Sequence, residues 1–554
     1  MINGFSWPWK RLRLRQIGTF ITLFSLCFVL TVACNQQQTT TPPPSPQTKS
    51  DRITIGTISQ PRTIDPADSY EMAGLMVIYN LSDTLYTYEL GTTNLKPQLA
   101  TEMPKVSADG LTYTIPLKQG VTFHDGTPFD AEAMAFSLER FMKNGGKPSF
   151  LLADTIDTVK ATGDSELTIT LKEPFSAFPA LLAFPGACAV SPQAYEIGQG
   201  KFKPDNLIGT GPYKLTKFSS DSVQLEAFEN YWGEKPKNKG VDLQIYPTNP
   251  ANLFNAFRTQ AVDVAYQSLT AEQIEQLQKD ATAGKGQVIE TPGTATAFMS
   301  LNVNAEFVKQ KPVRQAIASV MDRKLLNDRI LKGQGEPLYS LIPTTFEVSK
   351  PVFKDRYGDN NKEEAQKLLK DAGYSVQNPV TVEIWHTSGS VNASQVAAIL
   401  KNLADRDLGG MLKFEPNSIA SAAFFKNLSQ GLYQSTLSNW YPDFLDADNY
   451  IYPFLDCAKG SAEKGCTEGG SQAQGSFYYN EKVNQLITQQ RQESDPQKRQ
   501  EIFAQIQTIL AEDVPYIPLW QTKEYAFAQN GVNGVTINPS QTFPFWTIDR
   551  STKP

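Results

Sequence analysis

Between residues 95 and 141 the chain reads Leu95 Lys96 Pro97 Gln98 Leu99 Ala100, then Asp109 Gly110 Leu111 Thr112 Tyr113 Thr114. It continues with Val121 Thr122 Phe123 His124 Asp125 Gly126 Thr127 Pro128, and then Phe136 Ser137 Leu138 Glu139 Arg140 Phe141. Leu111, Tyr113, Ile115 and Leu117 alternate behind the turn pair Asp109-Gly110, and a second pair, Asp125-Gly126, follows the run Val121 to His124. A period of two broken by Asp-Gly turns predicts strands of an antiparallel unit. Asp130 stands where a helix N-cap belongs, and Met134, Phe136, Leu138 and Phe141 behind it include one apolar stripe.

Outward from this stretch the same two periods recur. Upstream, Arg52 to Ile58 alternates as an opening strand, Asp65 and Pro66 close the turn that begins at Pro61, and Met72, Leu75, Met76 and Tyr79 give Glu71 to Leu85 a helical spacing. Downstream, Val223, Leu225 and Ala227 alternate with Gln224 and Glu226, and strands dominate up to about residue 290. Beyond it apolar stripes of helical period take over: Val313, Ala316, Ile317 and Val320, then Ala365, Leu368, Leu369 and Ala372 ended by Gly373. Val396, Ile399, Leu400 and Leu403 form a third stripe, and Pro496 opens a fourth with Ile502, Phe503, Ile506 and Leu510. A chain of 554 residues exceeds one hydrophobic core, so two or three structural units are expected.

The N-terminal segment is of another kind. Lys10, Arg11, Arg13 and Arg15 precede an uncharged apolar run, Ile17 to Ala33, with Cys34 directly after it. This is the pattern of an export signal. Residues 35–50, with Gln36 to Gln38, Thr39 to Thr41 and Pro42 to Pro44, are a composition that cannot build a core and read as a tether. Residues 1–34 carry four of the 51 Lys and Arg and none of the 57 acids, which leaves the remainder at a net charge of −10. Such a balance argues against a nucleic-acid partner. Cys457 and Cys466 enclose a short Gly- and Lys-containing loop, which in an exported protein reads as a local disulfide; Cys188, among Ala187, Ala189 and Val190, reads as a buried thiol.

The runs quoted at the outset, taken with Gly209 Thr210 Gly211 Pro212 Tyr213, Asn230 Tyr231 Trp232, Val313 Arg314 Gln315 Ala316 Ile317 and Ala365 to Gly373, resemble the family 5 extracellular solute-binding proteins, the peptide and nickel receptors of ABC importers. The resemblance runs in order through nearly all of the chain after the tether. It departs at Ala133, where the family usually has Asp. Residues 1–34 likewise resemble a bacterial lipoprotein signal that would place the lipid on Cys34, with Thr31 where that pattern usually has Leu. The resemblance implies an α/β, two-lobed periplasmic-binding-protein-like fold with a hinge, of the cluster C type with an extra subdomain in lobe I. The expected parts are lobe I over 51–290 with an inserted subdomain at about 90–205, lobe II over 291–514, and a return to lobe I over 515–554. It further implies a monomer, lipid-anchored on the periplasmic or cell-surface side of the cytoplasmic membrane, that passes its ligand to a permease in the inner membrane.

A secreted enzyme is the rival class. The chain has no His-Glu-x-x-His and no Gly-x-Ser-x-Gly, and Asp443, Asp446 and Asp448 lack calcium-loop spacing. No catalytic residue, metal site or cofactor is expected, and a secreted hydrolase is the less favoured class; a carboxylate pair for glycoside cleavage has no signature in sequence. Of the two histidines, His124 beside Asp125-Gly126 reads as a turn residue, whereas His386, after the strand Ile384-Trp385, is a candidate cleft ligand if the solute is a nickel chelate or haem.

The stretch Asn439 Trp440 Tyr441 Pro442 Asp443 carries the peptide reading. In the family's peptide receptors an aspartate shortly after a Trp of lobe II binds the α-amino group of the ligand, and by that pattern the residue here is Asp443. The resemblance also implies that Asn439, Trp440 and Tyr441 on one side and Tyr70, Glu71 and Met72 on the other clamp the peptide backbone. Asp446 and Asp448 read as caps of the helix that follows. Trp385 to Asn392 offers no cation for a ligand carboxylate, which points to oligopeptides rather than dipeptides, because a buried carboxylate without a partner is costly.

Overall fold

The computed structural model describes residues 51–247, 249–266 and 269–550; the signal, Cys34 and the tether lie outside the described residues. Among the described residues the frame is one eleven-stranded sheet. Its order is Leu412–Ile419, Val380–Thr387, Ser435–Trp440, Gln287–Leu301, Tyr516–Ala528, Val264–Tyr266, Arg52–Thr57, Gly240–Ile245, Ser222–Ala227 and Tyr213–Phe218, with Gly335–Pro337 added against Tyr516–Ala528.

Two apolar cores form on this frame. One joins Ile53, Val77, Phe123, Leu138, Leu225 and Val264 to Phe543 and Ile548 from the C-terminal end. The other joins Phe298, Ile317, Leu369, Ile384, Leu400 and Ile506. The long antiparallel strands Gln287–Leu301 and Tyr516–Ala528 run through both regions. Their register shifts between Pro292 and Thr296, where the chain passes from one core to the other. A bulge at that point bends the pair and supplies the crossing of a two-lobed α/β fold.

A separate four-stranded antiparallel sheet, Lys105–Val106, Thr112–Pro116, Glu166–Leu171 and Ile156–Gly163, carries the alternation seen at Leu111 to Leu117. The expected strand at Val121 to His124 is not one of its members: Thr122 makes a single bridge to Pro128. Val121 and Phe123 bond instead to the adjacent Phe129 and Thr127, and His124 is turned toward residues 209–211. Its N–H donates to Gly209 O at 2.9 Å, Gly209 N–H donates to its Nδ1 at 3.3 Å, and its Nε2 lies 3.1 Å from Gly211 O. Burial drives the imidazole pKa down to about 4, so the ring is a neutral turn lock. Gly209 and Gly211 are required by close approach, since a Cβ on either would come within 2.5 Å of the Leu81 backbone.

The helices follow the apolar stripes. Ala131–Lys143 is capped by Asp130, whose side chain accepts from Ala133 N, and Pro496–Asp513 is capped by Asp495. Lys311–Val320 buries the predicted stripe, whereas Lys362–Asp371 buries Ala365 and Leu369 with Leu368 half-buried, and Val391–Asp407 buries Val396, Leu400 and Leu403 with Ile399 half-buried. The helix expected over Glu71 to Leu85 is shorter, Met72–Leu81, because Ser82 turns extended. Cys457 and Cys466 are disulfide-bonded, and Cys188 is a buried free thiol.

Candidate functional site

Two neighbouring strands that part from one another make the cleft. Val380–Thr387 pairs in parallel with Ser435–Trp440 only at Ile384↔Ser435 and Trp385↔Thr436. Past Thr436 the second strand keeps its antiparallel partner, Thr296–Leu301, on one side only. The other edge, from Leu437 to Trp440, has no strand partner among the described residues and faces a cavity of about 690 Å³ walled by Thr387, Val391, Ser438, Asn439, Tyr441 and Trp520. An unpaired edge of this kind presents main-chain donors and acceptors in an extended row.

That edge leads through Pro442 to Asp443. Its N–H and the Trp440 indole N–H both donate to Asn449 Oδ1, at 3.0 and 3.2 Å, which ties the loop into a compact ring. The carboxylate is then aimed across the cleft, where the Tyr70 hydroxyl donates to Asp443 Oδ1 at 2.5 Å. Burial raises the Asp443 pKa, with the Tyr70 hydroxyl and the Asn449 amide pulling against it. Burial and the adjacent Asp443 charge in turn keep Tyr70 protonated.

The three acids of this loop differ in what neutralises them. Asp446 takes a two-pronged contact from Arg499, at 2.6 and 2.7 Å. Burial works against its charge, but Arg499 holds its pKa below the usual range. Asp448 is paired with Arg491 at 3.0 Å and accepts from Gln490. Asp446 also accepts from Asp448 N and caps the short helix Ala447–Tyr450, whereas Asp448 is an ion-pair residue inside that helix rather than a cap. Among the described residues no cation pairs with Asp443. It lines a cavity of about 550 Å³ with Tyr70, Phe150, Trp440, Tyr452 and Arg491.

The other sequence candidates fall out as follows. Asn439 on the cleft strand and Tyr441 just past its end are exposed, and Trp440 packs against Phe454 at 5.1 Å. Met72 lines a third cavity, of about 650 Å³, together with Tyr441. Glu71 does not face the ligand space: its carboxylate accepts from the backbone N–H groups of Arg62, Thr63 and Tyr70 and builds its own turn. His386 is corrected too. It sits on the buried face of its strand with Val380, Val382 and Ile384, is 5% exposed, and contacts Thr387 O through Nδ1 at 3.0 Å. Its neighbour Thr387, one step along a strand whose faces alternate, is the residue that reaches the cavity.

Sequence reading missed two cleft residues. Lys523 and Glu524 lie on Tyr516–Ala528 and both line the 650 Å³ cavity; Lys523 Nζ is 2.7 Å from Glu290. A run such as Thr522 Lys523 Glu524 Tyr525 carries no signal of its own, and only the strand crossing brings it beside Tyr441.

Comparisons with known proteins identify relatives of the chain. The chain is 27% identical over 515 residues to the probable D,D-dipeptide-binding periplasmic protein DdpA of Escherichia coli (strain K12), spanning 90% of this chain and 94% of that one. It is 25% identical over 508 residues to the dipeptide-binding protein of the same organism, spanning 86% and 90%. Among solved structures, HbpA2 from Haemophilus parasuis superposes with a TM-score of 0.78 at 22% identity, over 90% of this chain and all of that one. NikA from Brucella suis, in complex with Fe(III)-EDTA, superposes with 0.77 at 20% identity over the same shares. These two establish the two-lobed fold. The family pattern described as bacterial extracellular solute-binding proteins, family 5 Middle, matches residues 94–462, about two thirds of the chain, and the chain belongs to that family.

Proposed function

We propose that this solute-binding protein captures oligopeptides with a free N-terminus between its lobes and delivers them to the permease of an ABC importer, with Asp443 receiving the α-ammonium group. The observation that carries the reading is that Asp443, alone of the loop's three aspartates, lacks a cation among the described residues, although it faces the cleft. A carboxylate held among neutral donors in a place of low dielectric is a strong acceptor for an incoming ammonium. The open edge from Leu437 to Trp440 supports a peptide as the rest of the ligand, since an extended main chain completes such an edge whatever its side chains are.

The lobes in this reading are 51–290 with 515–554, and 291–514, and they close over the ligand about the crossing strands. The lipid on Cys34 and the tether over 35–50 would hold the body at the outer side of the cytoplasmic membrane as a monomer. A nickel-chelate or haem receptor loses its candidate ligand with His386 in the core.

Calorimetry with free and N-acetylated tetrapeptides tests the anchor. Free-amine peptides bind, acetylated ones are far weaker, and Asp443→Asn loses about 2 to 5 kcal/mol toward the free-amine set, the cost of leaving a buried charge unpaired. Equal binding of both peptide forms, or undiminished binding by Asp443→Asn, sinks the assignment. Dipeptides binding far better than pentapeptides would sink the oligopeptide part.

A further inference from the structure

The 650 Å³ cavity holds a second carboxylate that nothing so far has used. Glu524 lies on Tyr516–Ala528, and its Oε1 accepts from Thr522 Oγ1 at 2.9 Å and from Gln541 Nε2 at 3.2 Å. Both donors are neutral, and among the described residues no Lys, Arg or His forms an ion pair with Glu524. The other charge on this wall, Lys523, is already taken by Glu290. With that pair cancelling, the cavity keeps the one net negative charge of Glu524. Its remaining walls are uncharged, with Met72, Leu269, Ile274, Tyr441 and Phe527 beside the polar Ser59 and Asn392.

The backbone around this carboxylate is shaped to admit it. Gly293 stands opposite, at the register shift of the crossing strands, and a Cβ there would meet Glu524 Oε1 at 2.9 Å and Thr522 Oγ1 at 2.3 Å. Gln541, the second donor, is buried and holds a left-handed backbone at φ 60°, a conformation that costs a non-glycine residue energy and persists where its surroundings fix it. Burial raises the Glu524 pKa, with Thr522 and Gln541 opposing, and the Glu524 charge contributes to raising that of Tyr441. Tyr441 also lines the 690 Å³ cavity beside the open strand edge, so the Glu524 cavity adjoins the path of the ligand.

We infer that Glu524 is a specificity determinant that receives a cationic side chain, lysine or arginine, of the bound peptide in the cavity behind Tyr441. The inference rests on the peptide reading above. The aliphatic stem of such a side chain lies along Met72 and Tyr441, and its charge meets a carboxylate that, like Asp443, forms no ion pair among the described residues.

The test uses calorimetry on the protein and its Glu524→Gln variant. The probes are free-amine tetrapeptides of alanine carrying one lysine, or one norleucine of equal length without the charge, at the first, second or third position. At one position lysine binds wild type about tenfold more tightly than norleucine, and Glu524→Gln brings that ratio down to about one. No position preferring lysine in the wild-type protein overturns the inference without recourse to the variant. So does a lysine preference that survives in Glu524→Gln. N-acetylated versions separate the two readings: if they bind as well as the free amines, the Asp443 anchor fails while the lysine-to-norleucine ratio still judges Glu524. No binding by any of the peptides overturns both.

Discussion

At the scale of single residues the chemistry of the cleft turns on which acids have partners. Asp446 and Asp448 are committed to Arg499 and Arg491, whereas Asp443 is held by a tyrosine hydroxyl that a stronger donor can displace or join. Burial raises the Asp443 pKa, so its ionised form gives way at a higher pH than the ordinary 3.8, and affinity for free-amine peptides is lost as pH falls through that raised value. Tyr70→Phe removes a donor that stabilises the ionised form. The expected outcome is a further upward move of the pH midpoint of binding, read by calorimetry between about pH 4 and pH 8; an unchanged or lowered midpoint would remove Tyr70 from the site. Asp443 was singled out in the sequence because it follows Trp440 at the family's spacing, and the structure leaves it without a cation among the described residues. Glu524 was not, since its significance comes from Gly293 and Gln541, 231 and 17 positions away. His386 was misplaced for the opposite reason, since its strand alternates and the sequence does not say which face is inward.

At the scale of elements, several motifs that carry the family resemblance prove to be buried polar networks. Asp65 in the first turn accepts two hydrogen bonds from Arg140, at 2.8 and 2.6 Å, and both side chains are essentially inaccessible. Arg140→Met leaves the Asp65 charge uncompensated, and a loss of about 3 to 5 kcal/mol in urea unfolding is expected. A loss under about 1 kcal/mol would show that this pair does not fasten the helix Ala131–Lys143 to the turn. Thr210, Tyr231 and Trp232 likewise serve one group, donating to the buried Asp83 carboxylate at 2.9, 3.1 and 2.9 Å. The helices Ala131–Lys143, Lys311–Val320, Lys362–Asp371, Val391–Asp407 and Pro496–Asp513 were readable from their periods, as were the strands Arg52–Thr57, Thr112–Pro116 and Ser222–Ala227. The run Val121 to His124 was misread because Val121 and Phe123 bond to the adjacent Phe129 and Thr127 while His124 bonds to a distant turn, and a local pattern cannot reveal a non-local partner.

At the scale of the whole molecule the two cores meet through a short set of contacts near Asp443. The Arg491 guanidinium stacks between Phe175 and Tyr452, at 4.2 and 4.1 Å, and Ser176 N–H donates to Arg491 O at 2.7 Å. Phe175 also meets Phe444 edge-on at 5.8 Å. Such contacts contribute about 1 to 2 kcal/mol each, which for a two-state opening is about a tenfold change in population. Phe175→Ala is therefore expected to enlarge the radius of gyration of the ligand-free protein in small-angle X-ray scattering, and peptide to restore the wild-type value; identical scattering would mean the lobes are held elsewhere. Family membership was legible from motifs spread along the chain, but this latch was not, because Phe175, Tyr452 and Arg491 belong to none of them. The bare edge from Leu437 to Trp440 has one more consequence. Displayed on an outer surface, it would template β-sheet growth between molecules and invite aggregation. Set along the wall of a cavity, it is shielded from the edges of other folded bodies, so the enclosure proposed to receive a peptide would also guard this edge against sheet growth between molecules.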